Sequence, residues 1–212
     1  MKKFGLTIGS LSAIILLFSG CASYNAAPIP PMLTNMTSTS TQEVTIIAKK
    51  FNAQDCKKFL DRDVIRKGYQ PIQLFIQNNT DKNYFFSLDQ VGLTHANPSD
   101  VATQVHTSTV GRAVGYGVGG LLIWPLFIPA VVDGIKSSEA NESLDKDFLD
   151  KAASDQMISA HSYFNKIIFV PANSCPNTFS LTLVDAASSK AEAFVISLDG
   201  SKLNTLASAQ HP

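Results

Sequence analysis

The chain has 212 residues and a balanced charge, with 17 lysines and arginines against 17 aspartates and glutamates. This balance leaves no overall charge that would draw the protein to nucleic acid or to an acidic lipid surface. The length suits one domain with a sizeable core, alone or carrying an insertion, and is short for two full domains.

The first 20 residues have the composition of a secretory signal peptide. Lys2 and Lys3 precede an apolar run from Phe4 to Phe18. This run is shorter than the roughly 20 residues that a helix needs to cross a bilayer. We therefore expect residues 1–20 to be removed after export.

The end of the apolar run continues as Leu17, Phe18, Ser19, Gly20 and Cys21. Because small residues precede the cysteine, this segment resembles the lipobox of bacterial lipoproteins, although Phe18 stands where leucine is usual. The resemblance covers this segment alone. It implies cleavage before Cys21, a diacylglyceryl group on its thiol, and attachment to the cell envelope. It favours the outer membrane, because Ala22 and not an aspartate follows the cysteine.

Residues 21–42 have the composition of a flexible tether. Pro28, Pro30 and Pro31 are followed by a run of threonine and serine, and no apolar period is present. Such a segment would reach about 70 Å when fully extended and roughly 25 Å as a relaxed coil. We therefore expect the globular part to stand clear of the membrane.

Residues 43–96 are predicted to form the first half of a β-sandwich. Apolar side chains alternate over residues 44–49 and 70–77, which is the period of a half-buried strand. A short helix is expected within residues 52–68, with Gly68 as its end. Turn-forming residues 78–83 lead to an aromatic strand over residues 84–88, so the last two strands should form an antiparallel hairpin.

Residues 97–160 are predicted to be a helical insertion. One helix should begin near Pro98. A second, amphipathic helix is expected over residues 139–157. Its apolar face would consist of Leu144, Phe148, Leu149, Ala152, Ala153 and Met157.

The centre of the insertion, residues 113–132, is uncharged and long enough to span a bilayer. Gly111, Gly115 and Gly119 recur at every fourth residue, a spacing that lets helix backbones approach closely. Pro125 breaks such a helix, so we predict an apolar helical hairpin, with Trp124 suited to a membrane interface. The hairpin has three alternative locations: against its own domain, in a bilayer, or at an oligomer or partner interface.

Residues 161–199 are predicted to complete the sandwich with strands over residues 163–170, 178–185 and 191–198, and residues 200–212 form a C-terminal tail. The predicted fold class is mainly β with an α insertion. It is a small antiparallel, Ig-like β-sandwich interrupted by the glycine-rich hairpin.

Cys56 and Cys175 are the two cysteines that remain besides Cys21. An exported protein meets an oxidising compartment, so we expect them to form a disulfide that joins the two halves of the sandwich. In the chain-entropy view, such a bond would stabilise the fold by roughly 4 to 5 kcal/mol.

The four histidines, His95, His106, His161 and His211, lie in no recognisable catalytic or metal-ligand motif. We therefore expect no catalytic residues, no cofactor and no metal. The predicted function is a non-catalytic binding or assembly module of the cell envelope, held to a membrane by lipidated Cys21. Its partner would be an envelope protein complex or a second copy of the chain. The alternative is a membrane-active lipoprotein that inserts the glycine-zipper hairpin into a bilayer, and a third hypothesis is an enzyme whose site the sequence does not reveal.

Overall fold

A computed structural model describes residues 23–32, 44–107 and 127–198, with the side chains of the last range described from residue 138 onward. The described chain is mostly β, and the expected strands of both halves are confirmed. The strands are β1 (Val44–Lys50), β2 (Tyr69–Asn78), β3 (Tyr84–Val91), β4 (Gln156–Ile158), β5 (Tyr163–Pro171), β6 (Thr178–Asp185) and β7 (Ala191–Ser197). The helices are α1 (Ala53–Phe59), α2 (Pro98–Gln104) and α3 (Phe127–Lys151).

Two antiparallel sheets pack face to face. The three-stranded sheet has the order β1-β2-β5, and the four-stranded sheet has the order β4-β3-β6-β7. Alternate residues of each strand point into the space between the sheets. The fully buried side chains there include Ile46, Ile72, Leu74, Ile76, Phe86, Leu181, Leu183 and Ile196. The sandwich core is therefore built from the alternating pattern that the sequence displays.

The expected hairpin of β2 and β3 is wrong, because the two strands belong to opposite sheets. The neighbours of β2 are β1 and β5, whereas β3 pairs with β4 and β6. In the connection, the buried Asn78 amide donates to the backbone oxygens of Lys82, at 2.7 Å, and Ser159, at 2.9 Å. These hydrogen bonds give the Lys82 and Ser159 carbonyls a partner at the point where the chain crosses from one sheet to the other.

The first helical segment matches its sequence signals. Asn52 caps α1 by accepting from the backbone N–H of Asp55 at 2.8 Å, and the Asp55 carboxylate accepts in return from the Asn52 N–H. A 3-10 turn, Ile65–Lys67, follows and ends at Gly68, whose φ of 88° is the left-handed conformation that glycine adopts readily. The predicted short helix is thus present, but it ends at Phe59 and not at Gly68, which ends the separate 3-10 turn.

The second predicted helix is correct in part. Leu144 and Phe148 are buried as expected, but α3 ends at Lys151, and Leu149 is 53 % exposed. Met157 lies in β4, outside the helix, and is half exposed. The helix ends early because Ala152 and Ala153 turn to pair with Ile167 of β5, and residues 156–158 then join the edge of β3.

The outer face of the three-stranded sheet carries a layer of helices. The ring of Phe148 on α3 stacks on Phe169 of β5, with 5.4 Å between centroids and 3° between planes. Lys151 at the end of α3 donates to the backbone oxygen of Phe59 at the end of α1, at 2.7 Å. The C-terminal end of α3 and the end of α1 therefore lie on the outer side of this sheet.

The described chain divides into two compact units. Residues 25–106 and 144–198 belong to the unit that contains the sandwich, and residues 23–24, 107 and 127–143 belong to the other. Within the second unit, the Thr107 N–H donates to the Asn141 side chain at 2.9 Å, and Asn141 donates back to the Thr107 carbonyl at 3.3 Å.

Candidate functional site: the N-terminal strap and an exposed sheet face

Several residues that the sequence singles out lie outside the described residues. They are Cys21, Gly111, Gly115, Gly119 and Trp124, together with most of the apolar segment 113–132. Within the described part of the chain, no helix combines the length and apolar character needed to cross a bilayer.

The expected disulfide between Cys56 and Cys175 is not formed, and both side chains are free thiols. Cys56 is fully buried on α1, where burial, followed by the nearby charges of Asp63 and Asp55, raises the pKa of its thiol to about 12. Cys175 is partly exposed and packs against the sandwich core. The two cysteines therefore occupy different packing environments, which the spacing in the sequence does not reveal.

Residues 25–32 form an extended segment that lies on the sandwich unit, and we name it the N-terminal strap. The Asn25 N–H donates to the Asp61 carboxylate at 3.1 Å, and the Ala27 N–H donates to the Lys58 carbonyl at 2.8 Å. This part of the expected flexible tether is thus bound to the domain along its first residues.

The second half of the strap is held by two side-chain amides of the three-stranded sheet. Asn165 of β5 donates to the carbonyl of Ile29 at 3.1 Å, and Gln73 of β2 donates to the carbonyl of Pro30 at 2.8 Å. Gln73 also donates to Asn165 at 2.8 Å. Proline favours an extended backbone and has no N–H that would need a partner, so a proline-rich segment suits this position.

Asp61 connects the strap to a group of cations. Its carboxylate pairs with Lys57 and, at 3.0 Å, with Arg62. Burial raises the pKa of Asp61, but the hydrogen bonds from Lys57 and from the Asn25 N–H, with the charges of Lys57 and Arg62, outweigh it and lower the pKa below its ordinary value of 3.8. Asp61 is therefore a charged acceptor for the strap at neutral pH.

A pocket of about 270 Å³ opens where the strap meets the C-terminal end of α3. Lys151 on its wall is buried, and its ammonium donates to Asp147 at 2.5 Å as well as to Phe59. The lysine is therefore engaged in holding α3 to α1. The pocket is lined by Ala26, Pro28, Ile29, Asp147, Asp150, Lys151 and Asn165.

The outer face of the four-stranded sheet exposes several apolar side chains. The register places Met157, Phe85, Val184 and Ala191 side by side across the four strands. Phe85 is 38 % exposed, Met157 50 %, and Val195 on β7 52 %. The other exposed or half-exposed outward positions of β6 and β7 are Thr178, Ser180, Thr182 and Ala193.

Two histidines are paired with carboxylates. His106 lies 2.6 Å from Asp145, and the exposed His161 lies 2.8 Å from Asp81. Among residues 23–32, 44–107 and 127–198, no three histidine, cysteine, aspartate or glutamate side chains lie close enough together to hold a metal ion.

Sequence reasoning missed the residues that hold the strap. Gln73 and Asn165 sit at polar positions of otherwise apolar strands, which was the one available signal, and Gln73 is buried. Nothing in the local sequence indicates that residues 25–32 are their partners.

Comparison of the chain with protein-family models, curated proteins and solved structures finds no match.

Proposed function

We propose that the protein is a lipid-anchored component of the bacterial cell envelope, favouring the outer membrane, that acts as a non-catalytic binding or assembly module. The lipobox-like segment ending at Cys21 supports the anchor. The observation that carries the binding role is the exposure of three apolar side chains, Phe85, Met157 and Val195, on the outer face of the four-stranded sheet. Exposed apolar side chains in one surface are typical of protein-interaction sites.

The strand order supports an immunoglobulin-like sandwich. With β1 to β7 given the letters A, B, C, C′, E, F and G, the sheets become A-B-E and C′-C-F-G. Immunoglobulin-type domains place C′ in the sheet of C, F and G. The helical insertion, with its glycine-rich hairpin, then belongs to the C–C′ connection. Many cell-surface binding domains share this sandwich architecture.

The anchor is tested by fractionation of wild-type protein and a Cys21→Ala variant exported by an ordinary signal peptide. We expect the wild type to need detergent for extraction, whereas the variant is released by salt or remains soluble. A variant that still requires detergent would contradict Cys21 as the anchor and would favour the alternative function below.

The binding face is tested by mild crosslinking in cells that express the Phe85→Lys variant. A charge in the centre of an apolar interface is costly, so crosslinked complexes, with other envelope proteins or between copies, should be lost. Leu149→Lys is the matched control, because Leu149 is also an exposed apolar residue, at 53 %, but lies on α3, away from this face. Equal yields of crosslinked complex from both variants would refute the proposed face.

The second candidate function is membrane activity of the apolar hairpin. It is favoured by the uncharged segment 113–132 and the recurrence of Gly111, Gly115 and Gly119. On this hypothesis, the Gly115→Leu variant should lose dye leakage from liposomes while the circular dichroism of the sandwich stays unchanged. Leakage by Gly115→Leu equal to the wild type would contradict this function.

A further inference from the structure

We propose that the strap holds the sandwich against the membrane, with the C-terminal end of α1 facing the anionic phospholipid headgroups of the leaflet that carries the anchor. This inference rests on the proposed lipidation of Cys21. It replaces the expected long tether with a short one, and it assigns a lipid-facing surface to the domain.

The length of the chain sets the distance. The domain holds the strap from Asn25 onward, because the Asn25 N–H is bonded to Asp61 and the Ala27 N–H to Lys58. Only three residues, Ala22 to Tyr24, lie between Cys21 and Asn25. The four steps from one Cα atom to the next can span at most about 14 Å, so a lipidated Cys21 keeps this end of the domain close to the headgroups.

The charges at this end suit an anionic surface. The first contact of the strap lies beside three cations, Lys57, Lys58 and Arg62, and beside the carboxylate of Asp61, which pairs with Lys57 and Arg62. The nearby carboxylate of Asp63 is paired with Arg66, so this end keeps more cations than carboxylates. The Lys57 side chain is 76 % exposed, and Lys58 is exposed. Attraction to anionic lipid decays within a Debye length of about 8 to 10 Å. A connection to the anchor of at most about 14 Å allows these cations to come within that range of the headgroups.

The remaining surfaces agree with this orientation. The carboxylates Asp147 and Asp150 line the pocket with Pro28 and Ile29, further along the strap from Cys21. The face with the exposed apolar residue Val195 belongs to the opposite sheet, on the far side of the sandwich from Gln73 and the strap. That face is therefore directed away from the membrane, where a protein partner can reach it.

Energy transfer to labelled lipid tests the orientation. Full-length protein extracted in detergent is reconstituted in phosphatidylcholine vesicles, with or without phosphatidylglycerol, that contain a headgroup-labelled acceptor lipid. A donor dye is attached at Gln54→Cys on α1 or at Val195→Cys, in a Cys175→Ser background. We expect stronger transfer from position 54, since two layers of secondary structure, each about 10 Å thick, separate the two positions.

Charge reversal tests the headgroup contact. In vesicles with phosphatidylglycerol, Lys58→Glu should shift the equilibrium away from the apposed state by roughly fivefold or more, since each basic residue near such a surface contributes about 1 kcal/mol. Lys190→Glu, in the exposed turn between β6 and β7, is the matched control and should leave transfer unchanged. High salt should abolish the difference between Lys58→Glu and wild type.

The intact mass of the purified protein separates the two proposals. If the mass lacks acyl chains, the proposed anchor fails, and this inference fails with it. If the acyl chains are present and transfer from positions 54 and 195 is equal, the anchor stands and the orientation is overturned. An unequal transfer that Lys58→Glu does not alter would overturn the headgroup contact.

Discussion

Cys56 and Cys175 differ in chemical reactivity because their surroundings differ. Burial keeps the Cys56 thiol protonated, with a pKa of about 12, while Cys175 is partly exposed. The thiolate is the reactive form of cysteine. The expected disulfide rested on the number of cysteines and on the compartment, and neither of these determines whether two side chains meet in the fold.

We predict that iodoacetamide modifies Cys175 and spares Cys56 in the folded Cys21→Ala protein. The rate at Cys56 should stay far below the rate at Cys175 at both pH 7 and pH 9, because Cys56 is buried and its raised pKa leaves almost no thiolate in this range. Mass spectrometry after alkylation, with and without denaturant, measures both sites. Two unmodified cysteines in denaturant without reductant would instead indicate a disulfide.

Gly92 comes directly after β3, at a point where its backbone lies very close to Ser180 of β6. Its N–H donates to the Ser180 carbonyl at 2.7 Å, and a Cβ at this position would lie 2.5 Å from the Ser180 hydroxyl. This requirement for glycine arises from a neighbouring strand that is distant in sequence. The sequence alone therefore did not single out Gly92.

The Gly92→Ala variant should lower the free energy of unfolding by about 1 to 3 kcal/mol, because the added methyl group overpacks this contact. Ser180→Ala in the same chain should restore part of the loss, since it removes the hydroxyl and leaves the backbone contacts at 3.2 and 3.3 Å. Urea denaturation measures both. A fully stable Gly92→Ala protein would show that the strands are not this close.

The element α3 shows how tertiary contacts modify an amphipathic pattern. The spacing of apolar residues predicted a helix with one apolar face up to Met157. Pairing of Ala152 and Ala153 with a strand ends the helix before that residue. Leu144 and Phe148 keep their predicted role, since both are buried. The periodicity of apolar residues correctly indicates which side chains are buried as long as the helix continues. The position of a nearby strand edge decides where the helix ends.

We predict that Phe148→Ala costs about 3 to 5 kcal/mol of unfolding free energy, as expected for an aromatic ring removed from a packed site. Its ring stacks on Phe169 and joins α3 to the sheet. The adjacent, exposed Leu149→Ala should change stability by less than about 0.5 kcal/mol. Thermal or urea unfolding gives both values, and similar costs for the two variants would argue against this orientation of α3.

The strap was predicted as free chain because its composition lacks an apolar period. Its binding depends instead on backbone groups, which any sequence provides, and on side chains such as Gln73 and Asn165 from distant strands. Composition alone cannot reveal contacts of this kind. Asp61, with its lowered pKa, makes one of these contacts sensitive to pH.

Acid should weaken the start of the strap. Because the pKa of Asp61 is lower in the folded protein than its ordinary value of 3.8, its stabilising contribution is present above that value and is lost as the pH falls through the folded pKa. In NMR titrations of the Cys21→Ala protein, the Asn25 amide should shift below about pH 4, the range set by the ordinary aspartate pKa. The shift should vanish in Asp61→Asn and remain in the control Asp81→Asn. A titrating Asn25 amide in Asp61→Asn would contradict the bond.

At the scale of the whole molecule, the position of a strand within its sheet determines how well its amides are protected from hydrogen exchange. β2 and β6 each have a neighbour on both sides, whereas β1 and β7 are edge strands. We predict that the amides of β2 and β6 exchange with deuterium more slowly than those of β1 and β7, because opening a central strand requires the sheet to separate. Exchange followed by mass spectrometry measures this order. Faster exchange in β2 than in β1 would contradict the sheet order.

The sequence by itself determined the described strands other than β4, the presence of a short helix at α1, the start of α2 and the mainly β class. These features depend on alternation, capping and turn residues, which act over a few positions. Only the tertiary structure decided that β2 and β3 lie in opposite sheets, that Cys56 and Cys175 stay apart, and that the strap is bound. Each of these depends on partners distant along the chain, and local patterns contain no information about which distant partner a strand, a thiol or a carbonyl meets.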